Sequence, residues 1–384
     1  MDNSKILIYC PVFLPQNSGY THAFAGLINN LLNNGFGVDV LTPCVLPNNQ
    51  EEVLHHPKLQ VFRYNPELNI WGIGLFYHFK KLAQKLARLN QQNHYQLIFI
   101  ETGDAPLLTY FLPHKILNKT VVRFHSTSDT EYLHFGTHKK YKLRRWFWKY
   151  FSGKKIKHLC ATNAYHLNYA AQSVLYNKSC ITNTVVTNTV QLSTNTQSVN
   201  NNNLRFFMLG RMDEEGYKQK GFELILKVLP LITDEMEAKN ASFTIVGNGK
   251  MHSYFYHNSK AFSFVKVIKQ LSHEEVLYYL QNNDVVVLPS IYEGVSMFSL
   301  EAIANKNAVI FSQTGGLIDM VDGNGFLIEP NNIDQLAEAF KKLLNTPDIS
   351  ALKEKSGVIA AAKFGANVQL SQFNKLLQEV NRAK

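Results

Sequence analysis

DVVVLPSIYEGVSMFSLEA, residues 284–302, decides how the chain folds. Its opening Val285-Val286-Val287-Leu288 is a continuous apolar run, the pattern of a strand with both faces buried. Pro289-Ser290 ends that strand, and Met297 to Asn305 reads as a helix after a short loop. A buried strand, a loop and a helix in this order form the unit of an α/β sheet covered by helices.

The same alternation continues on both sides. Strands are expected at Leu204 to Leu209, Ser242 to Val246, Phe264 to Ile268, Asp284 to Pro289, Ala308 to Phe311 and Gly325 to Ile328, with further helices at Phe222 to Leu229 and Glu274 to Gln281. Asn195 to Asn203, NTQSVNNNN, has almost no apolar content and reads as a linker. Ahead of it, Lys5 to Cys10, Val38 to Leu41, Leu59 to Tyr64, Gln96 to Glu101, Thr120 to His125 and His158 to Thr162 are strand-like. Phe24, Leu27, Ile28, Leu31 and Leu32 repeat at helical spacing between the first two. At 384 residues the chain exceeds the size of one hydrophobic core. Two doubly wound domains are therefore expected, residues 1–195 and 204–363, with a final helix at 364–384 returning to the first. Ligands of such sheets bind outside the carboxyl ends of the strands, so the crevice between the domains is the expected active site.

Hydrophobic residues at 45% and charged residues at 18% exclude the disordered and fibrous classes. The 39 basic and 29 acidic side chains leave a net charge of +10, which favours an anionic partner. Cys10, Cys44, Cys160 and Cys180 lack the spacing of a zinc site and are too few for a disulfide scaffold. The apolar run Ile6 to Cys10 meets Pro11 before it forms a signal-peptide core, and no stretch approaches the roughly 18–20 apolar residues of a membrane span. A cytoplasmic location is expected.

Within the deciding stretch stand Glu293 and, eight positions on, Glu301. Pro289 to Ala302 resembles the paired-glutamate motif of glycosyltransferase family 4, retaining enzymes of the GT-B fold that use nucleotide-sugar donors. The spacing also has a physical reading of its own. A helix beginning near Ser296 directs the N–H groups of Ser296, Met297 and Phe298 at a diphosphate, supported by the helix dipole. Glu301 lies roughly 7–8 Å along the axis from that end, an offset suited to a ribose. Glu293, in the loop, is placed to reach the sugar.

Gly210-Arg211 and Lys220-Gly221 resemble the family's Gly-Arg and Lys-Gly pairs, whose cations bind the donor phosphates. The segment between them is longer than the family commonly has, so Lys218 is an alternative to Lys220. Arg211 with a lysine can neutralise a leaving diphosphate without a metal; the chain has no Asp-x-Asp pair, and no cofactor is expected. Val246-Gly247-Asn248-Gly249 resembles the family's Gly-x-Gly turn near the donor base, which implicates Gly249. Gly315-Gly316 also matches. In the first domain, Ser18-Gly19 stands where the family has two glycines, implicating Gly19, and His125 matches the family's histidine in the sugar pocket. Asn188-Thr189-Val190-Gln191 is a weakened form of a hinge motif.

The resemblance implies a hexosyltransferase-type, metal-independent, retaining transfer from a UDP- or GDP-sugar to a glycan, lipid-linked or other cell-surface polysaccharide acceptor. The rival expectations are an inverting enzyme or epimerase of the same fold and a carbohydrate-binding scaffold without catalysis. A nicotinamide dehydrogenase is disfavoured because the first βα loop lacks G-x-G-x-x-G. Residues 138–158 interleave nine lysines and arginines with Trp146, Phe147, Trp148, Tyr150 and Phe151. This pattern suits peripheral docking on an anionic membrane surface, or else an ordinary helix with its aromatics in the core. No recognised nucleic-acid module accompanies it, and nucleic acid is not an expected partner.

Overall fold

The computed structural model describes residues 5–15, 18–44, 54–65, 73–101, 105–126, 128–135, 139–177, 181–193 and 203–382. His138, Cys180 and all but the last residue of the Asn-rich run lie outside them. The chain forms two compact units, one of residues 1–189 with 366–384 and one of residues 190–365.

The first unit has seven strands: β1 (Lys5–Tyr9), β2 (Gly37–Pro43), β3 (Leu59–Tyr64), β4 (Leu97–Glu101), β5 (Thr120–Phe124), β6 (His158–Ala161) and β7 (Ile181–Val185). They pair in parallel in the order β3-β2-β1-β4-β5-β6-β7. Successive side chains enter opposite layers, as the two-residue strand period requires. Leu7, Ile98 and Ile100 pack with the Ile73–Asn93 helix, whereas Ile6, Ile8, Leu97 and Phe99 pack with the Gly19–Asn33 and Ala366–Arg382 helices. The last helix is fixed by side-chain hydrogen bonds as well. Asn30 Nδ2 donates to Gln369 Oε1 at 3.0 Å, and Gln369 Nε2 donates to the Thr187 carbonyl at 2.8 Å.

The second unit has β8 (Arg205–Leu209), β9 (Ser242–Val246), β10 (Val265–Ile268), β11 (Val285–Leu288), β12 (Ala308–Ser312) and β13 (Gly325–Ile328), ordered β10-β9-β8-β11-β12-β13 and parallel. Val285 and Val287 enter one core layer, and Val286 and Leu288 the other. Such a strand has no solvent face, which is why it is written without polar alternation. The chain reverses its direction of travel across the sheet between β8 and β11, and this switch point is where doubly wound sheets place their ligands.

Two expectations need correction. The helix expected to stop at Leu229 runs from Phe222 to Ala238 through Pro230, because Ile232 and Met236 extend its buried stripe beyond the proline. The segment read as an elongated connection between Arg211 and Lys220 contains a helix, Glu214–Gln219, whose N-cap Asp213 accepts from the Gly216 N–H at 2.8 Å.

Candidate active site

The carboxyl ends of β8, β9, β11 and β12 bring four loops of the second unit together. β11 delivers Pro289-Ser290 and then Glu293, whose carboxylate accepts from the Lys220 ammonium and lies 3.4 Å from Ser290 Oγ. Lys220 reaches it because the Glu214–Gln219 helix is tied to the β11 loop. The Ile291 N–H donates to the Gln219 carbonyl at 2.8 Å, and Gln219 Nε2 donates to the Tyr292 carbonyl at 3.2 Å. Lys218, the sequence alternative, is exposed and lines a different surface, so Lys220 is the lysine held against Glu293.

Gly315 secures the other side of Glu293. At φ +53° it occupies left-handed backbone, and a Cβ there would lie 1.6 Å from the Glu293 carbonyl oxygen. The Gly316 N–H donates to the Gly294 carbonyl at 2.9 Å. The Glu293 backbone is thus pressed between two chain segments before any ligand arrives, the kind of preorganisation that a charge-stabilising site requires.

Arg211 is exposed and pairs with Asp213 at 2.9 Å and Gln219 Oε1 at 3.3 Å. Gly249 is explained by chain packing, since a Cβ there would lie 2.2 Å from the Asp213 nitrogen. The Met212 N–H donates to the Asn248 carbonyl at 2.9 Å and joins the β8 and β9 loops.

The helix after Glu293 is Met297–Ala304, with Ser296 as an N-cap whose side chain makes no capping bond. The helical ladder opens with the Leu300 N–H donating to Ser296 O, so the N–H groups of Met297, Phe298 and Ser299 precede it. The N–H groups outside the ladder therefore begin one residue later than the expected Ser296, Met297 and Phe298. Its first turn holds no acidic residue that would oppose a bound anion. Glu301 is buried on this helix, and burial pushes its pKa up to about 7. His273 Nε2 lies 3.7 Å from Glu301 Oε1, and burial lowers the histidine's pKa. The sequence reading missed His273. The Ser272-x-x-Glu275 capping box, present in the structure, was the available signal for a helix start at this position.

In the first unit His125 follows β5, its Nε2 2.6 Å from Glu101 Oε2. The Tyr20 ring lies 5.1 Å from the imidazole. Gly19 opens the Gly19–Asn33 helix, and Ser18 is its N-cap, accepting from the Thr21 N–H at 3.2 Å. Capping is the physical reason for a serine at that position. Behind His125, Arg123 is fully buried and reaches Glu101 Oε1 at 3.2 Å, Asn188 Oδ1 at 2.8 Å and the Val186 carbonyl at 3.0 Å. Asn188, which with Val190 keeps the residue type of the weakened hinge motif, thus anchors this network. Glu101 and Arg123 were not singled out in the sequence, although a charge inside each of two apolar strands implied a buried pair.

The basic segment divides. Phe147 and Trp148 are core residues, whereas Trp146 is 47% and Tyr150 51% exposed. A wide π-helical turn, Trp148–Ser152, follows the Lys139–Phe147 helix. Arg145 is committed to Asp129 at 2.8 Å, while Lys142, Lys149, Lys154 and Lys155 have no acidic partner among the described residues. Among those residues no cluster of three or more His, Cys, Asp or Glu is arranged to hold a metal, and no helix is long and apolar enough to cross a membrane.

Residues 193–362 match the family described as glycosyl transferases group 1. That match takes in nearly the whole of the second unit. An uncharacterized glycosyltransferase of Methanocaldococcus jannaschii is 26% identical to the chain over 169 residues, 42% of this chain and 46% of that protein. The chain therefore spans less than half the length of that relative. Across both units, sucrose-phosphate synthase from Thermosynechococcus elongatus superposes with a TM-score of 0.72 at 18% identity, covering 99% of this chain and 100% of that one. Anabaena HepE, solved in complex with UDP and glucose, gives 0.67 at 16% identity, with 98% and 100% covered. These likenesses are of fold, and that fold is GT-B.

Proposed function

We propose that the chain is a retaining glycosyltransferase that moves a sugar from a nucleotide diphosphate to a glycan or lipid-linked acceptor, without a divalent metal. The observation that carries this reading is the Lys220–Glu293 pair at the switch point of the second unit, beside the uncapped start of the Met297–Ala304 helix. A diphosphate would draw the Lys220 ammonium away from Glu293 and take the N–H groups of the helix start. Arg211 would add a planar donor fork. Lys220 and the helix then stabilise charge as it develops on the departing diphosphate, and Glu293, relieved of its partner, meets the sugar. Glu301 would accept the ribose hydroxyls deeper along the helix. His125, in the first unit, is assigned to the sugar, with Gly19 beside it on the donor.

Attack on the same face of the sugar, and hence retention, rests on the family resemblance. The uridine nucleotide bound by HepE makes UDP-sugars the first donors to try. Trp146 and Tyr150, with Lys142, Lys149, Lys154 and Lys155, fit peripheral docking at an anionic, inner-face membrane surface, where a lipid-linked acceptor would be met.

A thermal-shift screen across UDP- and GDP-sugars tests the reading. The true donor at about 100 times its dissociation constant should add about 2.7 kcal/mol of stability, in EDTA as in magnesium. No shift with any nucleotide sugar would leave the scaffold alternative, and a shift or turnover that vanishes in EDTA and returns with manganese would overturn the metal-free mechanism.

A further inference from the structure

The Glu214–Gln219 helix has a second role in the second unit. Its carboxyl end holds the Glu293 loop, but Glu214, Tyr217 and Lys218, one helical face, line a cavity of about 740 Å³. The other walls come from the Phe222–Ala238 helix and from residues in and beside the His252–Ser259 helix. The volume lies within the roughly 300–1,000 Å³ of small-ligand sites.

The lining specifies a kind of ligand. The floor is apolar, from Leu226, Pro230, Met251 and Phe262. Tyr217 is only 4% exposed, and its hydroxyl has no hydrogen-bond partner among the described residues. The hydroxyl is enclosed by protein, so the residue closes the back of the cavity rather than offering it a donor. Burial raises its pKa, so the hydroxyl keeps its proton. Tyr254 stands in the wall with 54% of its surface exposed, offering a flat apolar face. Asn258 Nδ2 is committed to the Tyr254 carbonyl at 2.8 Å, which leaves the amide oxygen as an acceptor.

Two carboxylates, Glu214 and Glu223, balance two ammonium groups, Lys218 and Lys227, and Glu223 already pairs with Lys227 at 2.8 Å. A phosphate or sulfate would meet the glutamates as well as the lysines, and a wholly apolar ligand would strand all four charges. A hydroxyl both donates and accepts, so a ring with one apolar face and a hydroxylated edge satisfies every wall at once.

We propose that this cavity binds a neutral oligosaccharide, at a site separate from the Lys220–Glu293 pair. The inference deepens the glycosyltransferase reading, since a glycan held here would be an acceptor or product kept on the protein between transfers.

Titration of the full chain with maltotriose, chitotriose and mannotriose, followed by saturation-transfer NMR, tests it. At least one should bind the wild type. Tyr254→Ala should weaken that binding roughly tenfold, the loss expected of one ring-stacking contact, and Tyr217→Phe, which removes an enclosed hydroxyl, should leave both the binding and the melting temperature unchanged. The thermal shift with UDP should be the same in all three proteins. No binding by any of the three sugars, equal binding by Tyr254→Ala, or displacement of the sugar by UDP or by inorganic phosphate would each overturn the proposal. Loss of the UDP shift with sugar binding intact would instead count against the donor reading and leave this site standing.

Discussion

Each unit places a carboxylate and a cation at the ends of central strands, and the two pairs are built to opposite specifications. Glu101 is wholly buried against a wholly buried Arg123, whose guanidinium also donates to Asn188 and the Val186 carbonyl. Glu293 meets only the tip of Lys220, a flexible point charge, at the rim of the second sheet. The fork of an arginine makes the first pair a fixed joint, and the single ammonium of a lysine makes the second exchangeable. The first pair is closed to solvent, whereas the second keeps a small exposed edge at Lys220, and under the proposed function a donor diphosphate would compete there for the lysine.

The largest effect should come from breaking the fixed joint. Arg123→Met removes the guanidinium from the buried Glu101, and breaking a buried pair in this way typically costs about 3–5 kcal/mol. Urea denaturation should show that loss, and Glu101→Leu added to Arg123→Met should recover much of it because no unpaired charge remains. A double variant no more stable than the single one would mean that the pair holds the strands by geometry and not by charge.

Glu301 sharpens the contrast, because it is a buried carboxylate with no lysine or arginine partner among the described residues, set beside a His273 imidazole that burial biases toward its neutral form. Its pKa rises from 4.5 to about 7, which corresponds to about 3 kcal/mol. The folded protein holds the proton more tightly than the unfolded chain, so stability falls as pH rises from about 4.5 to about 7, and the full cost stands above that range. Glu301→Gln should therefore melt well above wild type near pH 8 and with it near pH 4, while donor KM rises. Parallel melting curves across that pH range would show that the carboxylate is solvated.

At the exchangeable pair, Glu293→Gln should lower kcat on the order of 10²-fold with donor saturating, and the fold should be unaffected. Near-normal turnover would remove Glu293 from the chemistry and reduce its pairing with Lys220 to a second, weaker joint. The smallest change is expected on the first unit's surface. Neutralising Lys142, Lys149, Lys154 and Lys155 together should weaken sedimentation with anionic vesicles, at about 1 kcal/mol per base, and equal sedimentation would return them to a solvated face.

What could be read in advance followed from periodicity. Val285 to Leu288 declared a two-sided strand because burial on both faces leaves no polar position, and the same rule found β1 and β4. Ile181–Val185 escaped it, since ITNTV alternates threonine and asparagine with its few apolar residues. Pro230 ended a helix on paper that its buried stripe carries to Ala238. At the site, Glu293, Glu301 and Lys220 were visible as a spacing. The Glu101–Arg123 joint was not, because its members lie on different strands and only the sheet brings them together. His273 was hidden for the same reason, as its relation to Glu301 exists only once two helices are packed.

Residues 366–382 leave the ribosome after the whole of the 190–365 unit, yet Phe373, Leu376 and Val380 fill the core layer that holds Ile28, Leu31 and Phe99. Synthesis and closure therefore run in different orders. The unit translated first waits roughly ten seconds or more, at about 5–20 residues per second, with one face of its sheet unroofed. The unit translated second is complete from its own residues and closes first. The nascent chain thus carries an incompletely covered apolar face on its first unit until the Ala366–Arg382 helix is made.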